Sequence, residues 1–266
     1  MDTVTATAGP EAIVATARQH GCRAIAFTYN DPVIWAEYAI DIAQAARNQG
    51  IKTIAVTAGY INPEARREFF HWIDAANVDL KAFTEKFYRK LTQTHLAPVL
   101  DTLKYLKRET DIWFEITNLI IPGENDSESE TRQMCDWIVD ELGETVPCHF
   151  TAFHPDFKMM DTPATPAETL SRAREIALDS GIRFAYVGNV YDQQRGSTYC
   201  PSCAHILIKR DWYKLDAYHI RNGCCTNCGQ NIPGVFENSP GNWGRRRQPV
   251  HIHDPNHYIN LSIRRS

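Results

Sequence analysis

The chain has 266 residues, 43% of them hydrophobic and 23% charged, with a formal net charge of −4. These are globular values, and the length suits one large α/β domain, alone or with a small appendage. They exclude bulk disorder and collagen-like sequence; no apolar run approaches the roughly 18 residues of a membrane span, and mild acidity argues against nucleic-acid binding by the chain as a whole.

The first residues, Met1-Asp2-Thr3-Val4-Thr5, lack a basic segment and an apolar segment, so an export signal is not expected and the cytoplasm is. From there to about residue 190 two patterns alternate. Helices are predicted over about 11–20, 33–49, 63–75, 97–109, 127–142 and 166–180. Short β-branched and aromatic runs separate them: Ala24–Thr28, Thr53–Thr57, Asn77–Lys81, Ile112–Thr117, His149–Phe153 and Arg183–Val187. Pro32, Pro63 and Pro166 stand at expected helix starts, and Gly50 and Gly181 at expected stops. Asp126-Ser127 precedes another helix and can cap it. Strands alternating with helices at this spacing predict parallel βα units, in a barrel or an open sheet. Polar residues gather at the C-terminal ends of the strands, the face where α/β barrels place their chemistry.

Beyond about residue 191 the character changes. Five of the eight cysteines fall in the last quarter of the chain. Cys200-Pro-Ser-Cys203 and Cys225-Thr-Asn-Cys228-Gly229 are two C-x2-C knuckles. Each directs two thiolates at one ion, and two knuckles complete a tetrahedral site. Ile206–Ile208 and Trp212–Leu215 lie between them and suffice for a short hairpin, so a zinc ribbon is predicted. The same four thiolates would accept iron. Such a site is structural, because four protein ligands leave no open position for substrate. Cys224 is a spare beside Cys225 or replaces it, and Cys22, Cys135 and Cys148 read as buried packing residues. Arg245-Arg246-Arg247 and the histidines at 251, 253 and 257 read as polar surface. The predicted division is a barrel over 1–190, a four-cysteine module over 191–236 and an irregular polar tail over 237–266.

Three strand-end segments are candidates for chemistry. Thr28-Tyr29-Asn30-Asp31-Pro32 is a tight polar turn suited to the amino or carboxylate group of a small ligand. In Asp79-Leu80-Lys81 the two charged residues face the same way. They form a structural ion pair, or Lys81 holds an anionic group or makes a Schiff base. His154 ends a strand on the same face, as a packed rim histidine or a functional one.

These segments, with Ile121–Ser127, His149–Met159, Tyr186–Val190 and Tyr199–Cys203, resemble in order and spacing the radical SAM enzyme of the AmmeMemoRadiSam system. That group is related to the activating enzymes of pyruvate formate-lyase, and the resemblance runs over about 11–236. It implies a partial (β/α) TIM-like barrel that binds S-adenosylmethionine and a [4Fe–4S] cluster. Reductive cleavage of the sulfonium then gives a 5′-deoxyadenosyl radical. By that resemblance Thr28, Tyr29, Asn30 and Asp31 meet the ligand's amino group, Lys81 beside Asp79 lies near its carboxylate, and His154 near its ribose or adenosine. Thr57-Ala58-Gly59-Tyr60 stands where related enzymes carry Thr-Asn-Gly, and Ala58 lacks the amide.

The family's cluster needs C-x3-C-x2-C after the first strand, and this sequence contains no such trio. The expectation is a member whose first strand and cluster loop are missing, with the cluster ligands in that missing segment, made separately or lost. Two other readings stand beside it. One is a cluster-free barrel enzyme using Lys81, with Asp79 or His154 as acid or base. The other is a non-catalytic zinc-ribbon module binding a partner. Neither membrane nor nucleic acid is expected as partner, and the substrate, a protein or a small molecule, is left open.

Overall fold

The computed structural model describes residues 8–241 and 249–252. The described residues form two compact units, one of 8–57, 61–76 and 249–252, the other of 58–60 and 77–241.

In the first unit α1 (Pro10–Gln19) precedes β1 (Ala24–Phe27), and Pro32–Trp35 forms a 3-10 turn that leads into α2 (Ala36–Arg47). Proline at the first turn fixes φ and sacrifices an N–H that would have no helical partner anyway. The predicted single helix over 33–49 is therefore two segments, parted at Trp35, whose backbone leaves the helical region. β2 (Lys52–Thr57) runs parallel to β1, with Ile25 opposite Thr53 and Phe27 opposite Ala55. α3 (Pro63–His71) is capped by the Asn62 side chain, which accepts from Ala65 N–H at 2.9 Å. It ends at His71, four residues short of the predicted stop, with Trp72 as its C-cap. The core here is Ala39, Ile42, Ala43 and Ala46 of α2, Phe27 and Ala55 of the strands, and Phe69, Phe70 and Ile73. Small residues on α2 let the helix lie close to the strands.

The second unit takes up the alternation at β3 (Ala75–Asp79) and follows it with a short turn, α4 (Glu85–Phe87), that widens into a π turn at Tyr88–Thr92. That turn was not predicted, being too short to carry a periodic signal. α5 (Leu96–Glu109) buries Val99, Leu103 and Leu106, a 3.6-residue stripe. β4 (Trp113–Ile120), α6 (Glu128–Leu142), β5 (Cys148–Ala152), α7 (Ala167–Asp179) and β6 (Ala185–Gly188) complete the alternation. Ser127 caps α6 by accepting from Glu130 N–H, as the Asp126-Ser127 pair predicts. Phe114, Ile116, Ile120, Phe150 and Val187 are buried, while Glu115, Thr117, His149 and Tyr186 on the alternate positions stay partly open. One strand face thus meets the apolar core and the other is polar. β4 and β5 pair in parallel, as do β5 and β6. Strands β1 to β6 keep their sequence order in one six-stranded sheet, the parallel α/β arrangement of a partial TIM-like barrel.

A one-turn helix, α8 (Gln193–Gly196), leads to a second sheet. It consists of β7 (Thr198–Tyr199), β8 (Ile206–Asp211) and β9 (Lys214–Tyr218), all antiparallel, followed by the small pair β10 (Ile220–Arg221) and β11 (Cys224–Cys225). Its core of Leu207, Ile208, Ile220, Ile232, Cys200 and Cys225 is continuous with Phe184 before β6, and Tyr186 of β6 packs against it. Cys135 and Cys148 are buried, as read, and burial pushes both thiols up, Cys135 to about 12. Cys22 is only partly buried, so the packing reading is corrected there: the turn after α1 leaves it near the surface. Arg245–Arg247, His253 and His257 lie outside the described residues.

Candidate functional site: strand ends and a four-cysteine cluster

The turn after β1 carries Thr28, Tyr29, Asn30 and Asp31. Tyr29 is 88% exposed and takes a left-handed backbone, φ 72°, which is uncommon for an aromatic residue. Asn30 is exposed and Thr28 half-buried. Asp31 Oδ1 accepts from Val33 N–H at 3.1 Å and from the Thr57 hydroxyl at 2.9 Å. The carboxylate is therefore held by the helix start on one side and the end of β2 on the other.

In the second unit Asp79 is the last residue of β3, and Lys81 follows two positions later, just beyond the strand. Their side chains meet as predicted: Lys81 Nζ lies 2.8 Å from Asp79 Oδ2, and both are partly open to solvent. The backbone at Lys81 is gripped from three directions. Asn118 donates its amide to the carbonyls of Leu80 at 2.8 Å and Lys81 at 3.0 Å. Asn125 donates to the carbonyls of Lys81 and Leu119 and accepts from Ile121 N–H at 2.7 Å. Lys81 N–H donates to the Tyr88 hydroxyl at 3.2 Å. Asn118 and Asn125 are both buried, and burial raises the Tyr88 hydroxyl well above its ordinary range. Amides suit this task because each offers two donors and an acceptor to backbone groups that leave the strand. None of the three was a sequence candidate. The signal was present in Asn118, a polar residue on the otherwise apolar face of β4.

His154 lies two residues past the end of β5 and is exposed; its ring Nδ1 is 3.0 Å from the Pro155 carbonyl. Among the described residues, no hydrogen bond or ion pair joins it to Asp79 or Lys81. The loop after it carries Phe157, 81% exposed, and closes where Thr165 bridges Phe153 N–H and the Ile120 carbonyl. On the open face of the strands lies a polar set the sequence did not single out. Glu115 accepts from the Trp113 indole N–H at 3.1 Å and lies 2.6 Å from His149 Nε2, and the His149 ring stacks on Tyr186.

The four predicted ligands do converge. Sγ atoms of Cys200, Cys203, Cys225 and Cys228 all lie within 4.8 Å of one another, so the set can hold a metal ion. Both knuckles use one device. Ala204 N–H donates to the Cys200 carbonyl and Gly229 N–H to the Cys225 carbonyl, each at 2.9 Å, with Ala204 and Gly229 left-handed. The Asn227 amide donates to Cys203 Sγ at 3.5 Å and draws that thiol down to about 6. Cys224 stands outside the set, bridged to Asn231, which settles the choice between the adjacent cysteines for Cys225.

The spacing also says which metal unit fits. Cys200–Cys228 and Cys203–Cys225 sulfurs are 3.6 and 3.8 Å apart. A tetrahedron with metal–sulfur bonds of about 2.3 Å has edges of about 3.8 Å. A four-iron cubane interposes several irons and holds its thiolates much farther apart. The quartet therefore fits one ion and does not fit a [4Fe–4S] cluster. Nor do Cys22, Cys135 or Cys148, scattered singly, supply a C-x3-C-x2-C trio.

A parallel α/β sheet with polar strand ends is shared by many enzymes, and comparison with known proteins narrows the choice. Residues 7–135 match the family model of the radical SAM superfamily. A protein of Methanocaldococcus jannaschii, itself uncharacterized, is 38% identical over 229 residues, covering 85% of this chain and 68% of that one. The chain carries a radical SAM superfamily domain over residues 7–135. Solved structures agree on the radical SAM fold. A domain of pyruvate-formate lyase-activating enzyme from Bacteroides vulgatus aligns with TM-score 0.55 at 18% identity, over 62% of this chain and 98% of that domain. SuiB of Streptococcus suis aligns with TM-score 0.58 at 13% identity, over 71% of this chain and 45% of that one. No described helix is long and apolar enough to cross a membrane.

Proposed function

We propose that the chain is an S-adenosylmethionine-binding protein of the AmmeMemoRadiSam branch of the radical SAM superfamily, and that its four-cysteine module holds one structural zinc ion. The observation that carries the first part is the family match over 7–135, which includes the Thr28–Asp31 turn and the Asp79–Lys81 pair. A crystal structure of SuiB bound to S-adenosylmethionine, 16% identical, supports the reading through a shared fold. The chemistry of each residue type agrees. Lys81, a cation on a backbone that cannot shift, is proposed to hold the ligand's carboxylate. The carbonyls and Asp31 carboxylate of the Thr28–Asp31 turn are proposed to meet its ammonium, and His154 its ribose or adenosine. With Asp79 at 2.8 Å, Lys81 suits the role of a fixed cation, and Schiff-base chemistry is not proposed.

No radical step is assigned to this chain's own thiols, because neither the quartet nor the scattered cysteines fit the cluster. Titration calorimetry with S-adenosylmethionine tests the binding reading. Saturable binding that Lys81→Ala weakens about tenfold, the worth of one charged hydrogen bond, is expected; no heat, or an unaffected variant, ends it. Anaerobic reconstitution of the chain tests the cluster statement, and near-stoichiometric [4Fe–4S] with 5′-deoxyadenosine formation would overturn it. Metal analysis should find about one zinc per chain and no acid-labile sulfide.

A further inference from the structure

Arg210 of β8 is a half-buried guanidinium that forms no carboxylate ion pair among the described residues. It is nevertheless held in a fixed orientation. Nη1 donates to the Thr198 hydroxyl at 2.7 Å and to the Gly196 carbonyl at 3.2 Å. Its Cζ lies 5.6 Å from the centre of the Tyr186 ring, an arrangement that favours the cation. The Thr198 hydroxyl in turn is 3.1 Å from the Tyr186 hydroxyl. The nearby carboxylates are committed elsewhere. Asp192 pairs with Arg195 at 3.0 Å, and Glu115 is taken up by His149 and Trp113. Arginine carries five N–H donors, and the contacts named use only part of them.

This cation lines a cleft of about 140 Å³ at the C-terminal end of β6, together with Gly188, Asn189, Tyr191, Asp192 and Trp212. The mouth is aromatic. Tyr191 is 70% exposed and Trp212 60%, with Tyr213 beside it at 58%. Trp212 takes a left-handed backbone, φ 53°, at the tip of the β8–β9 hairpin. Tyr191 and Trp212 line one cleft together, and grouped exposed aromatic surface of this kind marks a binding site where singly exposed rings do not. Glu115 feels the Arg210 charge but is not within ion-pair distance of it, and a partly dehydrated arginine with free N–H donors is the residue type that recognises carboxylate and phosphate by paired hydrogen bonds.

We propose that the cleft between β6 and the β8–β9 hairpin is a binding site for a small oxyanion attached to a flat ring. Arg210 takes the carboxylate or phosphate, and Trp212 and Tyr191 take the ring. Gly188 lines the cleft as well, and a Cβ there would come to 3.0 Å from Thr151 Cγ2 of β5, so the neighbouring strand keeps this position bare. The site uses β6, α8 and the hairpin only, so it stands or falls independently of S-adenosylmethionine binding at Lys81.

Calorimetry or ligand-observed NMR on the full chain tests it with four probes: phenyl phosphate, phenylacetate, inorganic phosphate and neutral benzyl alcohol. At least one aromatic anion should bind saturably, benzyl alcohol should not, and inorganic phosphate should bind about tenfold more weakly than phenyl phosphate. Tighter binding of phenyl phosphate than phenylacetate assigns the site to phosphate monoesters; the reverse assigns it to carboxylates. Arg210→Gln should weaken the aromatic anion at least about tenfold, and Arg210→Lys by less, because it keeps the charge and loses the fork. Trp212→Ala alters an exposed residue and leaves folding intact; it should bring phenyl phosphate down to the level of inorganic phosphate. The proposal is overturned if neither aromatic anion binds, or if benzyl alcohol binds as well as they do. It is also overturned if Trp212→Ala leaves the preference for the ring unchanged, or if a folded Arg210→Gln binds as the unaltered chain does.

Discussion

The four-cysteine module and the strand end at Lys81 are two polar sites built in opposite ways. In the module each pair of ligands is brought together by a three-residue step along the chain and a left-handed residue, so each knuckle is built from local sequence alone. At Lys81 the site exists only because residues 37 and 44 positions away, Asn118 and Asn125, reach its backbone. The first is a chelate, whose stability resides in the ion. The second is a product of the sheet, whose stability resides in the core and in satisfied buried amides. Perturbations aimed at the ion should therefore damage one site and spare the other.

The largest effect is expected from removing the ion. A structural zinc contributes on the order of 10 kcal/mol to the fold that holds it. Chelation, or Cys203→Ser, should abolish amide-exchange protection over β7 to β11 while the segments around Ile138 and Phe150 stay protected. Unchanged protection in the ribbon after complete chelation would show that its apolar core, Leu207, Ile208, Ile220 and Ile232, suffices alone, and the comparison would break. The converse perturbation is Phe150→Ala. Phe150 is fully buried in β5, and its loss should cost about 3–5 kcal/mol in urea unfolding. Cobalt titration of that variant, under conditions where it is folded, should still give tetrathiolate absorption.

A third change sharpens the contrast at the level of hydrogen bonds. Asn125→Ala leaves the Ile121 N–H and the Leu119 carbonyl without their partner and removes one of the two donors to the Lys81 carbonyl. Buried unsatisfied groups cost about 1–3 kcal/mol each, so a loss of about 2–4 kcal/mol is expected in equilibrium unfolding. Asn125→Asp should be no better, because a carboxylate cannot donate to two carbonyls. If either variant is as stable as the original chain, the grip on Lys81 is not what positions it.

The same contrast explains what was readable beforehand. Alternating β-branched and periodic stretches gave the parallel βα order because hydrophobic period is a local property, and Cys200, Cys203, Cys225 and Cys228 were legible because chelation is local too. The Asp79–Lys81 pair was legible from alternation, although the strand ends at Asp79 and Lys81 lies two residues beyond it. Asn118, Asn125 and Tyr88 were not legible as partners of Lys81, since their relevance arises only when β4 and the π turn are set beside the end of β3. The helix break at Trp35 and the partial exposure of Cys22 likewise depend on how a segment leaves its helix. Arg210 was invisible for a related reason: in sequence it is one basic residue in a ribbon hairpin, and only the fold shows that it pairs with no carboxylate among the described residues while lying against Tyr186 and Thr198.

The smallest expected effect concerns Glu115 and His149, on the polar face of the same strands. Burial raises the Glu115 carboxyl, but the hydrogen bond and charge of His149, the Trp113 indole and the charge of Arg210 outweigh it and leave the carboxyl below its ordinary value. A folded-state pKa lower than the unfolded one contributes stability above the unfolded value of 4.5, and that contribution is lost as pH falls through the folded value. Both side chains are about a third exposed, at 35% and 30%, so solvent screening limits the contribution to under about 1 kcal/mol. Urea unfolding of Glu115→Gln and the unaltered chain, at about pH 7 and again about two units below the unfolded pKa, reads this difference. The gap between them should be present at the higher pH and close at the lower one. A gap that persists in acid would mean that Glu115 stabilises the strand by packing and neutral hydrogen bonding, and its charge would have no part in the difference between the two sites.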